Sequence, residues 1–299
     1  MVRRMKTTAP ICIWDVAAEL GEGPIWSDAE RSVYFVDIKS QRVHRLNVDS
    51  RQASSWAAPA QPGFLAPLAD GGLASGLEDG IYRFDTITGA FLKIIDVESN
   101  IPGNRLNDGY VDRRGRLWFG SMDDSERQAR GTLYRVQPNG RPIACDTGYV
   151  ITNGPAVSPD GRVMYHADTL NRVIYAFDVD EEGMLARKRR FVSISGGGYP
   201  DGMAVDANGF VWVALFGGAR IERFSPDGAL TDQIHFPCDN VTKLVFGGDD
   251  LRTVYVTTAR KGLSNTALQR QPHAGGLFEF RADVPGQPQA FCTEGFCNE

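Results

Sequence analysis

Polar residues that could bind a metal ion recur at a nearly constant interval along the 299-residue chain. Six short segments share one position in a repeat, and they begin at Glu22, Leu65, Asp108, Asn153, Asp201 and Thr242, in steps of 43, 43, 45, 48 and 41 residues. Four of these leading residues carry carboxylate or amide oxygens, and the acids among them would repel one another in a narrow space. Asp-Gly and Asn-Gly are also ordinary turn sequences, but their recurrence at one register favours a binding site.

Oxygen ligands without cysteine suit Ca²⁺, Mg²⁺ or Mn²⁺, and carboxylate-rich sites also accept Zn²⁺ or Fe²⁺. These residues therefore predict a site for one divalent cation, whose identity stays open. Because the leading residues hold the same place in each repeat, we expect them to converge at one mouth of a central channel.

Two kinds of hydrophobic segment recur around these residues and indicate the elements that position them. The first kind contains Val33, Leu73, Leu117, Met164, Val211 and Val254, in steps of 40, 44, 47, 47 and 43 residues. The second kind follows each of these and includes Ile81-Tyr-Arg-Phe and Ile221-Glu-Arg-Phe. The β-branched and aromatic residues in both kinds, and turns such as Pro159-Asp-Gly, favour strands over helices.

A period of about 40 to 50 residues made of short strands is typical of a β-propeller. We therefore predict an all-β, six-bladed β-propeller of four-stranded blades with a central metal site, forming one domain over residues 1–299. The segments Ile11–Trp14 and Gln289–Cys292 are expected to share one blade and close the ring. Residues 1–10 and 293–299 are expected to be peripheral or frayed.

The composition limits the partners that this chain can have. The 32 basic and 37 acidic residues give a net charge of −5 without a basic stripe, so nucleic acid is not an expected partner. No apolar run approaches the roughly 18 residues that span a bilayer, and the first residues are not expected to form a signal peptide. We therefore expect a cytoplasmic protein without membrane contact, and a monomer because the ring is closed.

The chain resembles a known family over nearly its whole length. The motifs that carry the resemblance are Leu20-Gly-Glu-Gly-Pro-Ile-Trp, Asn104-Arg-Leu-Asn-Asp-Gly, Gly115-Arg-Leu-Trp-Phe-Gly-Ser-Met, Ile151-Thr-Asn-Gly-Pro and Tyr199-Pro-Asp-Gly. They are similar to those of the senescence-marker-protein (regucalcin), gluconolactonase and luciferin-regenerating-enzyme family of six-bladed propellers. The stretch Thr258-Ala-Arg-Lys-Gly-Leu-Ser looks most like the bacterial sugar lactonases of that family, such as xylonolactonases.

The resemblance implies roles for individual residues. The family's metal ligands fall on Glu22, Asn153 and Asp201, and its substrate-binding residues fall on Arg105 and Asn107. Asp201 is then the candidate general base. Asp108 is either an alternative base or a partner that supports the ligands from behind. A further family carboxylate, which contacts sugar hydroxyls, falls on Ser125, and this departure leaves the substrate open.

The implied activity is metal-dependent hydrolysis of an aldonolactone, the cyclic ester of a sugar acid, to the aldonic acid. Xylono-, arabinono-, galactono- and gluconolactone are all compatible substrates. Two alternatives remain: a calcium- or ligand-binding propeller of the regucalcin type with little catalysis, and a hydrolase of another ester.

Overall fold

The computed structural model describes residues 5–293, in which 24 strands form six antiparallel sheets of four strands each. Strands are numbered along the chain, beginning with β1 (Ile11–Trp14). The first blade contains β2 (Gly21–Ser27), β3 (Ser32–Asp37), β4 (Arg42–Asn47) and β5 (Ala53–Ala57). The second contains β6 (Phe64–Pro67), β7 (Leu73–Gly76), β8 (Gly80–Phe84) and β9 (Phe91–Asp96). The third contains β10 (Asn104–Val111), β11 (Leu117–Asp123), β12 (Gly131–Val136) and β13 (Pro142–Tyr149).

The remaining three blades continue the same order. The fourth contains β14 (Thr152–Val157), β15 (Val163–Asp168), β16 (Val173–Val179) and β17 (Leu185–Ser193). The fifth contains β18 (Tyr199–Val205), β19 (Val211–Phe216), β20 (Arg220–Phe224) and β21 (Leu230–His235). The sixth contains β22 (Val241–Gly247), β23 (Thr253–Thr258) and β24 (Leu277–Arg281), with the short helix α1 (Asn265–Arg270) between the last two strands. The predicted six-bladed propeller of four-stranded blades is confirmed.

The first strand of each blade lies innermost. These six strands pack around the channel in the order β2, β6, β10, β14, β18, β22 and back to β2. Aromatic pairs join neighbouring blades: Trp212 meets Phe246 with ring centroids 5.3 Å apart, and Phe64 meets Phe119 at 5.9 Å. In this ring of six blades, three steps separate the third blade from the sixth. These two blades face each other across the channel.

The N-terminal strand alone completes the closing blade. β1 pairs with β24 and forms the outer edge of the sixth blade. The expectation that Gln289–Cys292 shares this blade is wrong, because β1 already occupies its edge. Cys292 instead forms a parallel bridge with Leu68 of the second blade, and its N–H donates to the Pro67 carbonyl at 2.7 Å.

Buried aspartates join inner strands to their neighbours in two blades. Asp206 Oδ2 accepts hydrogen bonds from Trp212 Nε1 at 3.0 Å and from Arg223 Nη2 at 2.8 Å. In the third blade, Asp112 Oδ2 accepts from Trp118 Nε1 at 2.9 Å and from Arg116 Nε at 2.7 Å. The third and fifth blades thus satisfy the buried N–H groups of Trp118 and Trp212 internally. Within residues 5–293, no helix has the length and apolar character that a membrane crossing requires.

Candidate active site

The inner strands share a local distortion at the register of the candidate residues. Five of the six shift their pairing with the second strand of the blade, after Glu22, Leu106, Asn153, Pro200 and Val241. Such bulges bend a strand and redirect its side chains. The inner strand of the second blade pairs without a shift, and it carries apolar Leu65 at this register. The bulges therefore accompany the polar residues.

A cavity of about 230 Å³ at this mouth of the channel brings five predicted residues together. It is lined by Glu22, Asn153, Asp201, Arg105 and Asn107, all of which are buried. Its apolar wall consists of Leu20, Ile38, Met122, Ile151, Leu170, Tyr199 and Phe216. The arrangement suits a small ligand with one polar and one apolar face.

Glu22 and Asp201 are two buried acids in direct contact. Burial, and then the charge of Asp108, raises the pKa of Glu22 to about 7, although Lys243 acts in the opposite direction. Burial and the charge of Glu22 raise the pKa of Asp201 well above its ordinary value. The two carboxyl groups hydrogen-bond each other, which requires that one of them be protonated. A divalent cation would remove this repulsion, and the pair therefore fits a metal site.

A chain of hydrogen bonds orients the Asn153 amide. Asn107 Nδ2 donates to Asn153 Oδ1 at 2.9 Å and to the Thr152 carbonyl at 2.6 Å. Asn153 Nδ2 donates to Thr169 Oγ1 at 3.0 Å, and the Thr169 hydroxyl donates to the Pro200 carbonyl at 2.9 Å. The donor end of Asn153 is thus held by protein, and its carbonyl oxygen keeps a second lone pair for a cation.

Both carboxylate oxygens of Asp108 accept hydrogen bonds from donors of their own, although its charge still acts on Glu22 and Asp201. Its Oδ1 accepts from the Gly109 N–H at 2.8 Å and from Lys243 Nζ, and its Oδ2 accepts from the Gly154 N–H at 3.0 Å. Asp108 does not line the cavity, and it forms no cluster of three acids with Glu22 and Asp201 among the described residues. The Gly154 contact places Asp108 behind Asn153.

Lys243 contacts the site through Asp108 and was not predicted from the sequence. It belongs to the inner strand of the sixth blade, is 6% exposed, and reaches Asp108 of the opposite blade. Its Nζ also donates to the Gly109 carbonyl at 3.1 Å. The sequence signal for this residue is a lysine inside the repeat segment Thr242-Lys-Leu-Val-Phe. An inner strand has no solvent-exposed face on which a lysine ammonium group could lie, so such a lysine needs a buried partner.

Lys243 also lines a second cavity of about 80 Å³ farther along the channel. The C-terminal segment Gln287–Ala290 lines that cavity too, and Gln287 Nε2 donates to the carbonyls of Val157 and Val205, each at 3.0 Å. This segment therefore lies across the end of the channel opposite the candidate site.

Arg105 is held rigidly at the cavity wall. It is 2% exposed, its Nε donates to Asp124 Oδ1 at 2.6 Å, and its Nη1 donates to Asn107 Oδ1 at 2.6 Å. Lys39 Nζ donates to the same Asp124 oxygen at 2.7 Å. Although burial acts in the opposite direction, Lys39 and Arg105 lower the pKa of Asp124 to about 2. Arg105 is therefore an oriented donor beside Asn107.

Ser125, which stands at the position of the family's sugar-contacting carboxylate, is followed by a carboxylate that lines the cavity. Ser125 Oγ donates to Asp123 Oδ2 at 2.7 Å, and Ser125 does not line the cavity. Glu126 does line it and forms an ion pair with Lys261, which lines it as well. The sequence reading singled out neither Glu126 nor Lys261.

A three-residue cluster and a buried histidine outside this cavity also carry groups that could bind a metal or a proton. Among the described residues, one set of three side chains that can ligate a metal has its ligand atoms within 4.8 Å of one another: Cys12, Asp15 and His273. Asp15 and His273 are about half exposed. His166 is fully buried against Tyr149, and neither of its ring nitrogens has a hydrogen-bond partner.

The fold and the cavity define a six-bladed β-propeller with a polar site at one mouth of its channel. Residues 20–260 match the family described as SMP-30/Gluconolactonase/LRE-like region. The chain belongs to this family, and the resemblance noted in the sequence is confirmed.

Individual relatives are similar over most of their length. A 6-deoxy-6-sulfogluconolactonase of Pseudomonas putida is 35% identical over 277 residues, covering 92% of this chain and 95% of that protein. An L-arabinolactonase of Azospirillum brasilense is 36% identical over 274 residues, covering 88% and 89%. The crystal structure of regucalcin from Agrobacterium tumefaciens, described as a calcium-binding protein, superimposes with a TM-score of 0.91 at 28% identity and covers 97% of both chains.

Proposed function

We propose that this protein is a metal-dependent hydrolase that opens the cyclic ester of a sugar acid to the aldonic acid. The observation that carries the proposal is the meeting of Glu22, Asn153 and Asp201 in one cavity with the oriented donors Arg105 and Asn107. The relatives named as lactonases for a sulfogluconolactone and an arabinolactone support the same class of substrate.

Glu22, Asn153 and Asp201 are the residues that would hold the cation. Their donor set is two carboxylates and an amide oxygen, which suits a divalent ion but does not select among Ca²⁺, Zn²⁺, Mn²⁺, Mg²⁺ and Fe²⁺. When bound, the ion supplies positive charge that polarises the lactone carbonyl and stabilises negative charge on its oxygen.

Asp201 acts as the general base. Its carboxylate accepts a proton from the water that attacks the carbonyl carbon. The same proton is then transferred to the ring oxygen as the ester C–O bond breaks. This role requires the ionised carboxylate, whereas burial and Glu22 favour the protonated form. Positive charge in the site would restore the ionised form. Asp108 is less suited as the base, because lysine and backbone donors occupy its oxygens.

Arg105 and Asn107 bind and orient the lactone. Arg105 presents a planar guanidinium whose position Asp124 and Asn107 fix, so little side-chain entropy is lost when it donates to substrate oxygens. Asp108 does not line the cavity but supports it, because its Oδ2 accepts a hydrogen bond from the Gly154 N–H next to Asn153. The protein acts on a small-molecule lactone as a monomer.

A second candidate function is calcium binding with little catalysis. It is favoured by the similarity of the whole fold to the regucalcin of Agrobacterium tumefaciens, which is described as a calcium-binding protein. Tight metal binding without turnover of any lactone would support it.

A lactone panel tests the proposal. Purified protein is assayed by acid release on xylono-, arabinono-, galactono- and gluconolactone, before and after chelation and with single divalent ions restored. We expect turnover to be lost on chelation and regained with at least one ion. Asp201→Ala and Glu22→Ala should lower kcat by about 10²–10⁴-fold, and Asp160→Ala on an exposed turn should not. Unchanged activity in both site variants would exclude the mechanism.

A further inference from the structure

Three side chains that can ligate a metal meet at the outer edge of the blade that closes the ring. Cys12 lies on β1, Asp15 follows that strand, and His273 lies between α1 and β24. One ligand atom of each lies within 4.8 Å of the other two, and Asp15 Oδ2 is 3.5 Å from His273 Nδ1. None of the three lines the cavity that contains Glu22 and Asp201, so this edge cluster is separate from the candidate active site.

A bulge in β1 brings two of these side chains to the same face of the strand. The pairing of β1 with β24 shifts between Cys12 and Trp14, so Ile13 has no partner of its own. In a regular strand, residues three positions apart point to opposite faces. The extra residue reverses this alternation, and Cys12 and Asp15 can therefore face the same ion.

The turn that carries His273 is anchored against the segment that follows β1. The Gly276 N–H donates to the His273 carbonyl at 3.0 Å, and the Ala18 N–H donates to the Gly275 carbonyl at 2.9 Å. A side chain at position 276 would place its Cβ 2.8 Å from the Cys12 sulfur, so the glycine leaves room for the thiol. The backbone therefore fixes the places from which the three side chains extend.

The donor set of the edge cluster suits zinc. A thiolate, an imidazole nitrogen and a carboxylate oxygen bind Zn²⁺ at about 2.0–2.3 Å, and neighbouring ligand atoms in a tetrahedron of that size lie about 3.3–3.7 Å apart. The 3.5 Å between Asp15 and His273 already fits, and the 4.8 Å limit for the cysteine sulfur leaves a shift of about 1 Å. The Asp15 and His273 side chains are about half exposed, so an ion can enter from solvent.

The protein does not activate the Cys12 thiol as a nucleophile. Burial, and then the charge of Asp15, raises the pKa of this thiol, although a backbone hydrogen bond with Trp14 acts in the opposite direction. A raised pKa disfavours the free thiolate that nucleophilic attack requires. A bound divalent cation deprotonates a coordinating thiol and offsets the carboxylate charge beside it. The environment therefore favours a metal site over a cysteine nucleophile.

We propose that Cys12, Asp15 and His273 form a second metal site, which binds Zn²⁺ through three protein ligands. Water completes the tetrahedron on the exposed side. β1 is the strand that completes the closing blade. Two ligands come from β1 and the residue after it, and the third comes from the blade that β1 joins, so the ion links the N-terminal strand to the sixth blade.

A cobalt titration tests the site, because Co²⁺ substitutes for Zn²⁺ and a cobalt–thiolate bond gives a charge-transfer absorption in the near ultraviolet. The oxygen and amide ligands of the cavity give no such absorption. We expect the reduced full-length protein to develop this absorption with a single bound Co²⁺, and Zn²⁺ to remove it by displacement. Cys12→Ser should abolish the absorption, and His273→Ala should raise the Co²⁺ concentration at half-saturation at least about tenfold.

Three results would overturn the inference. They are a wild type without the absorption, an absorption that persists in Cys12→Ser, and an unchanged half-saturation in His273→Ala, which would leave a thiol alone as the ligand. Cys145→Ser is the matched control, since it removes a half-buried thiol on β13 that is outside the edge cluster. Its titration should equal that of the wild type.

A urea titration with Zn²⁺ tests the link between the ion and β1. Glu22→Gln serves as the background because it removes a carboxylate of the cavity, and its cobalt absorption should equal that of the wild type. Zn²⁺ should raise the urea midpoint of Glu22→Gln, since the ion binds only the folded state. Adding Cys12→Ser to this background should remove most of that rise. An equal rise in both proteins would assign the stabilisation to other sites and contradict the link.

Discussion

Two lysine–carboxylate pairs span the channel between the same two blades, and they differ in depth. Lys243 and Asp108 are 8% and 3% exposed in their side chains, whereas Lys261 and Glu126 are 31% and 34% exposed. The deep pair also contacts the backbone of Gly109. The mouth pair has water on one side and the cavity on the other. The deep pair is therefore shielded from water, and the mouth pair is partly solvated.

The difference follows from solvation. Removing one partner of a buried pair leaves a charge that neither water nor protein compensates, so the loss is large. An exposed pair gains little because water solvates both charges nearly as well when they are apart. Between the two pairs lie Glu22 and Asp201, whose mutual repulsion a cation would relieve.

The largest expected effect is on the deep pair. Lys243→Met leaves Asp108 buried without its counter-ion, and we expect the free energy of unfolding to fall by about 3–5 kcal/mol in a urea titration. The double variant Asp108→Asn/Lys243→Met should recover most of this loss because no buried charge remains. A loss below about 1 kcal/mol in the single variant would show that the two pairs are equivalent.

The next effect concerns the acids between the pairs in the metal-free protein. The pKa of Glu22 is raised to about 7, so the folded chain holds this proton more tightly than the unfolded chain. The resulting stability is fully present below the unfolded value near 4.5 and is lost as the pH rises through about 7. With a chelator present, the urea midpoint should fall between pH 5 and pH 8.

Glu22→Gln is the control for this pH dependence, because it removes the titrating group and keeps the shape. Its midpoint should vary less with pH than that of the wild type. An added divalent ion should raise the wild-type midpoint at pH 8, since it binds only the folded state. A wild-type midpoint that rises from pH 5 to pH 8 would contradict the prediction.

A smaller effect is expected at the mouth. Lys261→Met should change the free energy of unfolding by less than about 1 kcal/mol in the same urea titration. Such a result would show that the exposed pair contributes little to folding. A fall in the free energy of unfolding as large as that of Lys243→Met would mean that the mouth pair also stabilises the fold.

Much of the fold could be predicted from local pattern. The repeat placed Glu22, Asp108, Asn153 and Asp201 on inner strands, because each repeat carries the same strand order and turn residues. The pattern misplaced Gln289–Cys292, since an alternating segment does not show which edge it joins when β1 already covers the expected one. It placed Asp108 at the register of the other acids, but it did not show that backbone N–H groups and Lys243 donate to its carboxylate oxygens.

The amino-acid sequence alone determined the number of blades and the register at which polar residues enter the channel, because both depend on contacts within one repeat. Only the tertiary structure decided which side chains meet across the channel. Lys243 and Lys261 each reach a partner 135 residues earlier, and such contacts depend on ring closure, which sets the third blade opposite the sixth. The local sequence around a lysine does not show which carboxylate faces it from the other side of the ring.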